Sequence, residues 1–213
     1  MSAVEVNSSY SRHSLLARQH HKHHGRLTQD NIQTALLPNL EKEQKRSGGT
    51  QRAFFLETQG VNELNYRQAC SVESFALLNP NILVYVLFMN STAVNRKAAT
   101  FKALRHYNNT QLVAVNIDEY VAGTPIEHWY HNTTWREGPY HVAHLRDSLR
   151  LLTLAKYGGF YVDLDIIFTQ PVTYLRNFIA TEDGEKASNG VMHADLGYPL
   201  MRMVVEEFPK NYK

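Results

Sequence analysis

The segment 156–168 constrains the fold more than any other, because in it a helix stop leads into an apolar strand that carries two carboxylates. The glycine pair 158–159 is typical of the left-handed turn that ends a helix. In the strand predicted after it, side chains alternate between the two faces of a sheet. Asp163 and Asp165 would share one face with Tyr161, while the apolar residues between them enter the core. The sequence therefore predicts two acids that converge on one exposed spot.

Two neighbouring carboxylates repel each other unless a cation lies between them. Mn²⁺ and Mg²⁺ are hard cations that prefer oxygen ligands and keep coordination positions open for phosphate oxygens. Asp163 and Asp165 therefore predict a site for a divalent metal that binds together with a diphosphate. An Asp-x-Asp pattern alone is a weak signal, so the surrounding segments decide how it is interpreted.

The helix predicted over 144–156 carries the second charged pattern. Its leucines recur at helical spacing, and Asp147 and Arg150 lie three residues apart on it. Such residues are neighbours on a helix surface, where an exposed ion pair contributes a few tenths of a kcal/mol, roughly. The alternative is a clamp for sugar hydroxyl groups. The residues by themselves leave both interpretations open.

The spacing of these two patterns resembles the donor site of one enzyme class. Asp147-x-x-Arg150, twelve intervening residues and Asp163-x-Asp165 are similar to the pattern of retaining nucleotide-sugar glycosyltransferases with an Asp-x-Asp motif. The chain most resembles the α1,4-glycosyltransferase family, which includes lactosylceramide α1,4-galactosyltransferase and α1,4-N-acetylglucosaminyltransferase, in its arthropod-like form. The resemblance begins at about Phe54, and its further landmarks are 54–58, 67–74, Asn79-Pro80, Trp129-Tyr130 and 189–195.

This resemblance implies an α/β fold of the glycosyltransferase A type, a Rossmann-like mixed sheet flanked by helices. It also implies a UDP-sugar-dependent hexosyltransferase that moves Gal, GalNAc or GlcNAc with retention, in α1,4 linkage, to a glycolipid or glycan acceptor. Family catalytic domains continue past the position of Lys213, so a C-terminally truncated domain is expected. Two alternatives stay open: an inactive fragment or pseudoenzyme that binds UDP-sugar, and a haloacid-dehalogenase-type phosphatase with Asp163 as nucleophile.

The resemblance also assigns roles to the charged residues. Asp165 would be the direct ligand of Mn²⁺ or Mg²⁺, and Asp163 would be a second metal ligand that also bridges to the ribose and the donor sugar. Asp147 would accept hydrogen bonds from donor-sugar hydroxyls. Arg150 would hold Asp147 in place or contact the sugar and phosphate. No catalytic nucleophile or base is assigned.

Further donor contacts are implied at three other places, each with a plainer alternative. Phe55, Glu57 and Thr58 would hold the uridine, although Glu57 and Thr58 would equally suit a turn after a strand. Tyr161 would line the site or simply pack at a strand edge. Asn189 would approach the donor sugar or the acceptor, or belong to a polar turn that leads into a strand.

Composition predicts one domain with a tail. The chain has 213 residues and 43% hydrophobic content, enough for one core of ordinary size. Residues 1–50 are polar and predict a disordered stem or linker, in which the histidines of 20–24 suit a flexible tail better than a zinc site. Residues 51–213 would form the partial donor-binding domain. They carry fifteen Lys and Arg against sixteen Asp and Glu, so no nucleic-acid partner is expected.

Four N-glycosylation acceptor sequences favour residence in the secretory pathway; they begin at Asn7, Asn90, Asn108 and Asn132. The chain contains no signal-type segment and no run of eighteen apolar residues. By resemblance, the intact protein would be a type II membrane protein of the Golgi lumen. Membrane association would then depend on an anchor absent from this chain.

Hydrophobic periodicity predicts alternating strands and helices, and hence a parallel arrangement of the first strands. Strands are expected at 53–56, 82–88, 111–116 and 191–193, and helices at 66–78, 92–107, 124–131, 172–179 and 199–207. In such open sheets, ligands bind beyond the carboxyl ends of the strands, where Glu57 and Asp163 are expected. Cys70 is predicted to be a buried, inert thiol, with a disulfide partner beyond Lys213 as the alternative.

Overall fold

The structure is a computed structural model that describes residues 51–89, 94–95, 97–132 and 134–211. The stem predicted over 1–50, its histidine cluster and the acceptor sequences at Asn7 and Asn90 lie outside the described residues. Within the described ranges, no helix is both long and apolar enough to cross a lipid bilayer.

In the described part of the chain, six strands form one mixed sheet. The strands are β1 (Arg52–Glu57), β2 (Leu83–Met89), β3 (Thr110–Val115), β4 (Gly159–Val162), β5 (Phe178–Thr181) and β6 (Ala187–Ala194). Their order is β3-β2-β1-β4-β6-β5. The pairs among β1 to β4 are parallel, whereas β6 pairs with β4 and β5 in antiparallel register. Both the parallel arrangement of the first strands and the mixed sheet implied by the family resemblance are confirmed.

Helices cover both faces of this sheet. They are α1 (Tyr66–Leu78), α2 (Ala99–Leu104), α3 (Ile117–Val121), α4 (Glu127–Asn132), α5 (His141–Tyr157) and α6 (Pro199–Asn211), with a 3₁₀ turn at Trp135–Glu137. One core cluster joins the sheet to α3, α4, α5 and α6, and the other joins it to α1 and α2. Consecutive strand residues such as Phe54 and Phe55 belong to opposite clusters, as strand alternation requires.

Helix α1 confirms its predicted bounds of 66–78. A capping box explains its start: the Asn65 side chain accepts from the Gln68 backbone N–H, and the Gln68 side chain accepts from the Asn65 backbone N–H. Its core face carries Val72 and Phe75. Cys70 lies off this face and is exposed, so the prediction of a buried thiol is wrong.

The predicted helix at 172–179 is also wrong. The backbone N–H of Val172 donates to the side chain of Asn79 at 2.9 Å, and Asn177 has a positive φ of 47°. A non-glycine residue in that conformation interrupts a helix, and the chain then enters β5. Of the helix expected over 92–107, the described residues form only α2, while α6 continues two residues past Pro209.

The acidic strand is shorter than predicted. Strand β4 ends at Val162, so Asp163 and Asp165 lie in the turn that follows it and not on one strand face. The backbone N–H of Ile166 turns back to the carbonyl of Asp163 at 3.3 Å. Tyr161 is fully buried, which corrects the expectation that it shares an exposed face with the two acids.

His193 on β6 is a buried histidine that the fold requires in its neutral form. Its side chain packs against Phe160, with ring centroids 4.5 Å apart, and the residue is 4% exposed. Its Nδ1 accepts a hydrogen bond from the backbone N–H of Asn177 at 3.0 Å. Burial, followed by the nearby charge of Arg176, lowers the pKa of His193 from 6.5 to about 4, against a smaller opposing effect of Asp195.

This lowered pKa predicts a loss of stability in mild acid. In the unfolded chain His193 binds a proton near pH 6.5, but in the folded chain only near pH 4. The free energy of unfolding should therefore fall as the pH drops through this window. The loss should be at most about 3 kcal/mol. His193→Asn keeps an acceptor near Nδ1 but does not titrate, and its stability should depend less on pH. Urea titrations at pH 7.5, 6, 5 and 4.5 would measure the difference, and parallel pH profiles would contradict the assignment.

Candidate functional site

The segments at the carboxyl ends of β1 and β4, which carry Glu57 and Asp163, meet at one edge of the sheet. Strands β1 and β4 are parallel neighbours, with Phe54 opposite Tyr161. Their carboxyl ends therefore lie side by side, and they deliver Glu57 and Asp163 to the same edge. This confirms the topological prediction, and it places the candidate site where open α/β sheets bind their ligands.

A buried guanidinium holds this edge together. Arg150 of α5 is only 2% exposed. Its Nη1 donates to the backbone carbonyl and the side-chain oxygen of Asn189 at 2.7 and 2.6 Å. Its Nη2 lies 3.3 Å from an Asp147 oxygen and 3.5 Å from an Asp163 oxygen. A solvent-facing pair of Asp147 and Arg150 is therefore ruled out as the interpretation of this motif.

Asp163 is fixed from two sides. The Tyr161 hydroxyl donates to its Oδ1 at 2.5 Å, and the two terminal nitrogens of Arg150 each lie 3.5 Å from one of its oxygens. The guanidinium also lies over the Tyr161 ring, 4.9 Å from its centroid. Burial raises the pKa of Asp163, while Arg150, Tyr161 and Arg146 oppose that rise. Tyr161 is thus a packing residue that also orients a site carboxylate.

Asn189 joins the site from β6. The backbone N–H of Asp163 donates to the carbonyl of Gly190 at 2.8 Å, which extends the β4–β6 ladder by one bond. The Asn189 side chain donates to Asp147 at 3.2 Å while its oxygen accepts from Arg150. We call this set the Arg150 cluster; its members are Asp147, Arg150, Tyr161, Asp163 and Asn189.

Helix α1 anchors the acidic turn, a role that the sequence did not reveal. The buried Ser71 Oγ lies 2.6 Å from the carbonyl of Ile166 and 3.3 Å from that of Asp163. One turn further, the Ser74 Oγ accepts from the backbone N–H of Phe168 at 3.0 Å. These bonds satisfy polar backbone groups beside the core and fix the path of the turn. The only sequence signal for them was that 67–74 belongs to the family landmarks.

Asp165 differs from Asp163 in its exposure and in its contacts. It is exposed, and among the described residues it forms no hydrogen bond or ion pair. No group of three or more His, Cys, Asp or Glu side chains that could hold a metal occurs in the described part of the chain. Two carboxylates would occupy only part of the coordination sphere of a Mn²⁺ or Mg²⁺ ion. The remaining positions could take phosphate and water oxygens, which fits a cation that binds together with a diphosphate.

The predicted uridine segment lies beside these acids. The Glu57 carboxylate accepts from the backbone N–H groups of Gln59 and Val61 at 2.8 and 3.2 Å, so it also stabilises the turn after β1. Burial raises the pKa of Glu57, and these backbone bonds oppose the rise. The Phe55 side chain is fully buried against Phe75, with ring centroids 5.9 Å apart. Phe55 can therefore offer a nucleotide only its backbone.

Thr58 immediately follows β1 at the same edge and is partly exposed. The nucleotide-binding roles of Phe55, Glu57 and Thr58 stay predictions.

Comparison with known proteins identifies the family. The glycosyltransferase sugar-binding region containing a DXD motif matches residues 65–184, more than half of the chain. The chain belongs to this family. The matched range includes α1, the Asp147 and Arg150 pair and both acids of the turn. Membership decides against the dehalogenase-type phosphatase.

Several curated relatives are named as α1,4-glycosyltransferases. Human alpha-1,4-N-acetylglucosaminyltransferase is 31% identical over 74% of this chain and 48% of its own length. Human lactosylceramide 4-alpha-galactosyltransferase is 27% identical over 75% of this chain and 46% of its own length, and the gorilla protein of that name is 27% identical over 50% of its length. The chain thus spans about half the length of the curated relatives it matches.

Among solved structures, the PaToxG glycosyltransferase superposes with a TM-score of 0.58 at 14% identity, over 84% of this chain and 68% of that one. At this identity the likeness concerns the fold alone. Together with the mixed sheet, it confirms the glycosyltransferase A-type architecture predicted from the sequence.

The burial of Arg150 predicts a large cost for a substitution that looks conservative. Arg150→Lys keeps the charge but cannot reproduce a planar fork that contacts Asp147, Asp163 and Asn189 at once. With hydrogen bonds lost inside a buried cluster, the free energy of unfolding should fall by about 2 kcal/mol or more. Urea unfolding monitored by tryptophan fluorescence measures the change.

Arg202→Lys is the matched control. Arg202 on α6 is 84% exposed in its side chain and pairs with Glu206 at 2.8 Å. An exposed helical pair of this kind contributes roughly 0.5 kcal/mol or less, so this variant should remain close to the unmodified protein. Equal effects of the two substitutions would contradict a structural role for the Arg150 cluster.

Proposed function

We propose that this chain carries the donor site of a retaining, UDP-sugar-dependent hexosyltransferase. The observation that carries the proposal is the Arg150 cluster: in a chain of the DXD family, it gathers Asp147, Asp163 and Asn189 beside the exposed, unpaired carboxylate of Asp165. A nucleotide diphosphate and a sugar require these features together, namely a metal-binding carboxylate and hydroxyl acceptors on a rigid frame.

The names of the relatives support the transferred group and the linkage. They are a 4-alpha-galactosyltransferase that acts on lactosylceramide and an alpha-1,4-N-acetylglucosaminyltransferase. By this likeness, the donor is UDP-Gal or UDP-GlcNAc, and the acceptor is a glycolipid or glycan. UDP-GalNAc is a third donor that the family resemblance of the sequence allows. The proposed location is the Golgi lumen, where the anchor expected for such a protein would hold it at the membrane.

The two acids of the turn have different tasks in this proposal. Asp165 and Asp163 would hold Mn²⁺ or Mg²⁺, and the bound cation would neutralise the charge that develops on the departing diphosphate. Asp163, oriented by Tyr161 and Arg150, would also accept a hydrogen bond from the ribose or the donor sugar. Rigid placement of such acceptors reduces the entropy that binding must overcome.

Asp147 would bind the sugar itself. One of its oxygens is shared by Arg150 and Asn189, while its side chain is 37% exposed and can still accept from a ligand. Arg150 would act as a positioning residue, because it is too deeply buried to contact the donor extensively. For this retaining transfer, we assign no carboxylate as a nucleophile.

Metal dependence is the first expected property. Without a cation, Asp163 and Asp165 repel each other and the diphosphate, so UDP should bind in millimolar Mn²⁺ and not in EDTA. Asp165→Asn should abolish the metal-dependent binding and leave the thermal unfolding midpoint nearly unchanged, because the side chain is exposed. Calorimetric titration with UDP, once in Mn²⁺ and once in EDTA, measures the affinity under each condition.

Asp118→Asn is a control for the loss of one surface carboxylate, since Asp118 is 67% exposed and lies on α3. It should bind UDP as the unmodified protein does. Equal UDP affinity in EDTA and in Mn²⁺ would remove the metal role from the acidic turn.

The sugar-binding role of Asp147 predicts a selective loss. Asp147→Ala should weaken UDP-sugar binding by one charge-assisted hydrogen bond, roughly 1.5 to 3 kcal/mol, with little effect on plain UDP. The measurement is the ratio of the two dissociation constants in Mn²⁺, compared between the variant and the unmodified protein. Any general disturbance of the Arg150 cluster affects both ligands and cancels in this ratio. An unchanged ratio would exclude Asp147 from sugar binding.

A further inference from the structure

A groove of about 610 Å³ adjoins the Arg150 cluster on its β6 side. The β5–β6 hairpin forms it, and its lining residues are Ile179, Glu182, Asp183, Lys186, Ala187, Ser188 and Asn189. Asn189 is therefore common to the groove and to the cluster, where it contacts Arg150 and Asp147. A ligand in the groove would lie next to whatever Asp147 binds.

The irregular pairing of the hairpin shapes this groove. Ile179 pairs with Met192, but the next residue of β5, Ala180, pairs with Ser188. Residues 189–191 thus have no partners on β5 at this irregularity. The carbonyl groups of this stretch are instead bonded on the side away from β5. The Asn189 carbonyl accepts from Arg150, and the Gly190 carbonyl accepts from the backbone N–H of Asp163. Bulges of this kind redirect side chains beside functional sites.

The groove lining is rich in hydrogen-bond acceptors. Glu182 accepts from the Ser188 hydroxyl at 2.9 Å through one oxygen, which leaves the second free among the described contacts. Asp183 accepts from the backbone N–H groups of Lys186 and Glu185, and these bonds lower its pKa. Ile179, 42% exposed, supplies an apolar surface at the same groove. A ligand that fits must donate hydrogen bonds and also present an apolar face.

We propose that this groove is the acceptor subsite and that it takes a neutral saccharide. The inference rests on the proposed function, since it places the acceptor beside the sugar that Asp147 would hold. Saccharide hydroxyls donate to Glu182 and Asp183, and the C–H face of the ring packs on Ile179. With two carboxylates and one lysine, the groove disfavours an anionic saccharide, because its carboxylate would face like charges at close range.

The test uses the full chain with UDP and Mn²⁺, and lactose as the neutral probe. Ligand-observed NMR titration yields the lactose dissociation constant, and calorimetry yields that of UDP. Ala187→Trp fills the groove and should weaken lactose binding at least about tenfold, as expected for steric exclusion, while Glu182→Gln should weaken it about fivefold through the loss of a charged acceptor. UDP affinity should stay within twofold in both variants. Sialyllactose should bind more weakly than lactose.

Glu206→Gln on α6 is the matched control, since Glu206 is an exposed carboxylate away from the hairpin. It should leave lactose binding unchanged. Lactose affinity that survives Ala187→Trp, or an unmodified chain that binds UDP but not lactose, would overturn the subsite. A chain that binds no UDP in Mn²⁺ would instead overturn the proposed function. The two failures are therefore distinguishable.

Discussion

The edge of the sheet at the carboxyl ends of β1 and β4, where the candidate site lies, depends on the buried guanidinium of Arg150. A buried charge is costly unless it is paired and hydrogen-bonded, and here its partners come from three separate segments. Asp147 lies on the same helix, Asp163 follows β4, and Asn189 belongs to β6. The contacts that stabilise this buried charge also set the positions of the residues proposed to bind the donor substrate. Stability and site geometry are therefore coupled in this protein.

The two acids of the motif differ in how firmly the fold holds them. Asp163 is held by Tyr161 and Arg150 and is partly shielded from solvent, whereas Asp165 extends into solvent with no partner among the described residues. A fixed carboxylate cannot adapt much to a cation, but an exposed one can. This difference supports Asp165 as the direct metal ligand and Asp163 as the preorganised acceptor.

The sequence predicted local features well and long-range ones poorly. The capping box at Asn65 and the glycine stop at Gly158 are encoded within a few residues, and the helices they bound were found. The burial of Arg150 was not predictable, because an aspartate three residues away suits an exposed pair equally well. Ser71 bonds to groups 92 and 95 residues away, which no local pattern reveals.

The same limit explains why the acidic strand was predicted too long. An apolar run at 159–168 satisfies strand periodicity, yet the ladder to β1 pairs only two residues of β4, Phe160 and Tyr161. Beyond it, side chains of α1 determine the path of the chain. Candidate site residues on short segments could thus be proposed from the family resemblance, while their orientation needed the tertiary structure.

The most direct test of the account is a crystal structure of the chain with UDP and Mn²⁺, examined by anomalous diffraction at a wavelength where manganese scatters. The account predicts one strong anomalous peak within bonding distance of an Asp165 oxygen and of the UDP diphosphate, with Asp163 still hydrogen-bonded to Tyr161. A peak bound elsewhere, or a UDP molecule that lies away from the carboxyl ends of β1 and β4, would contradict it.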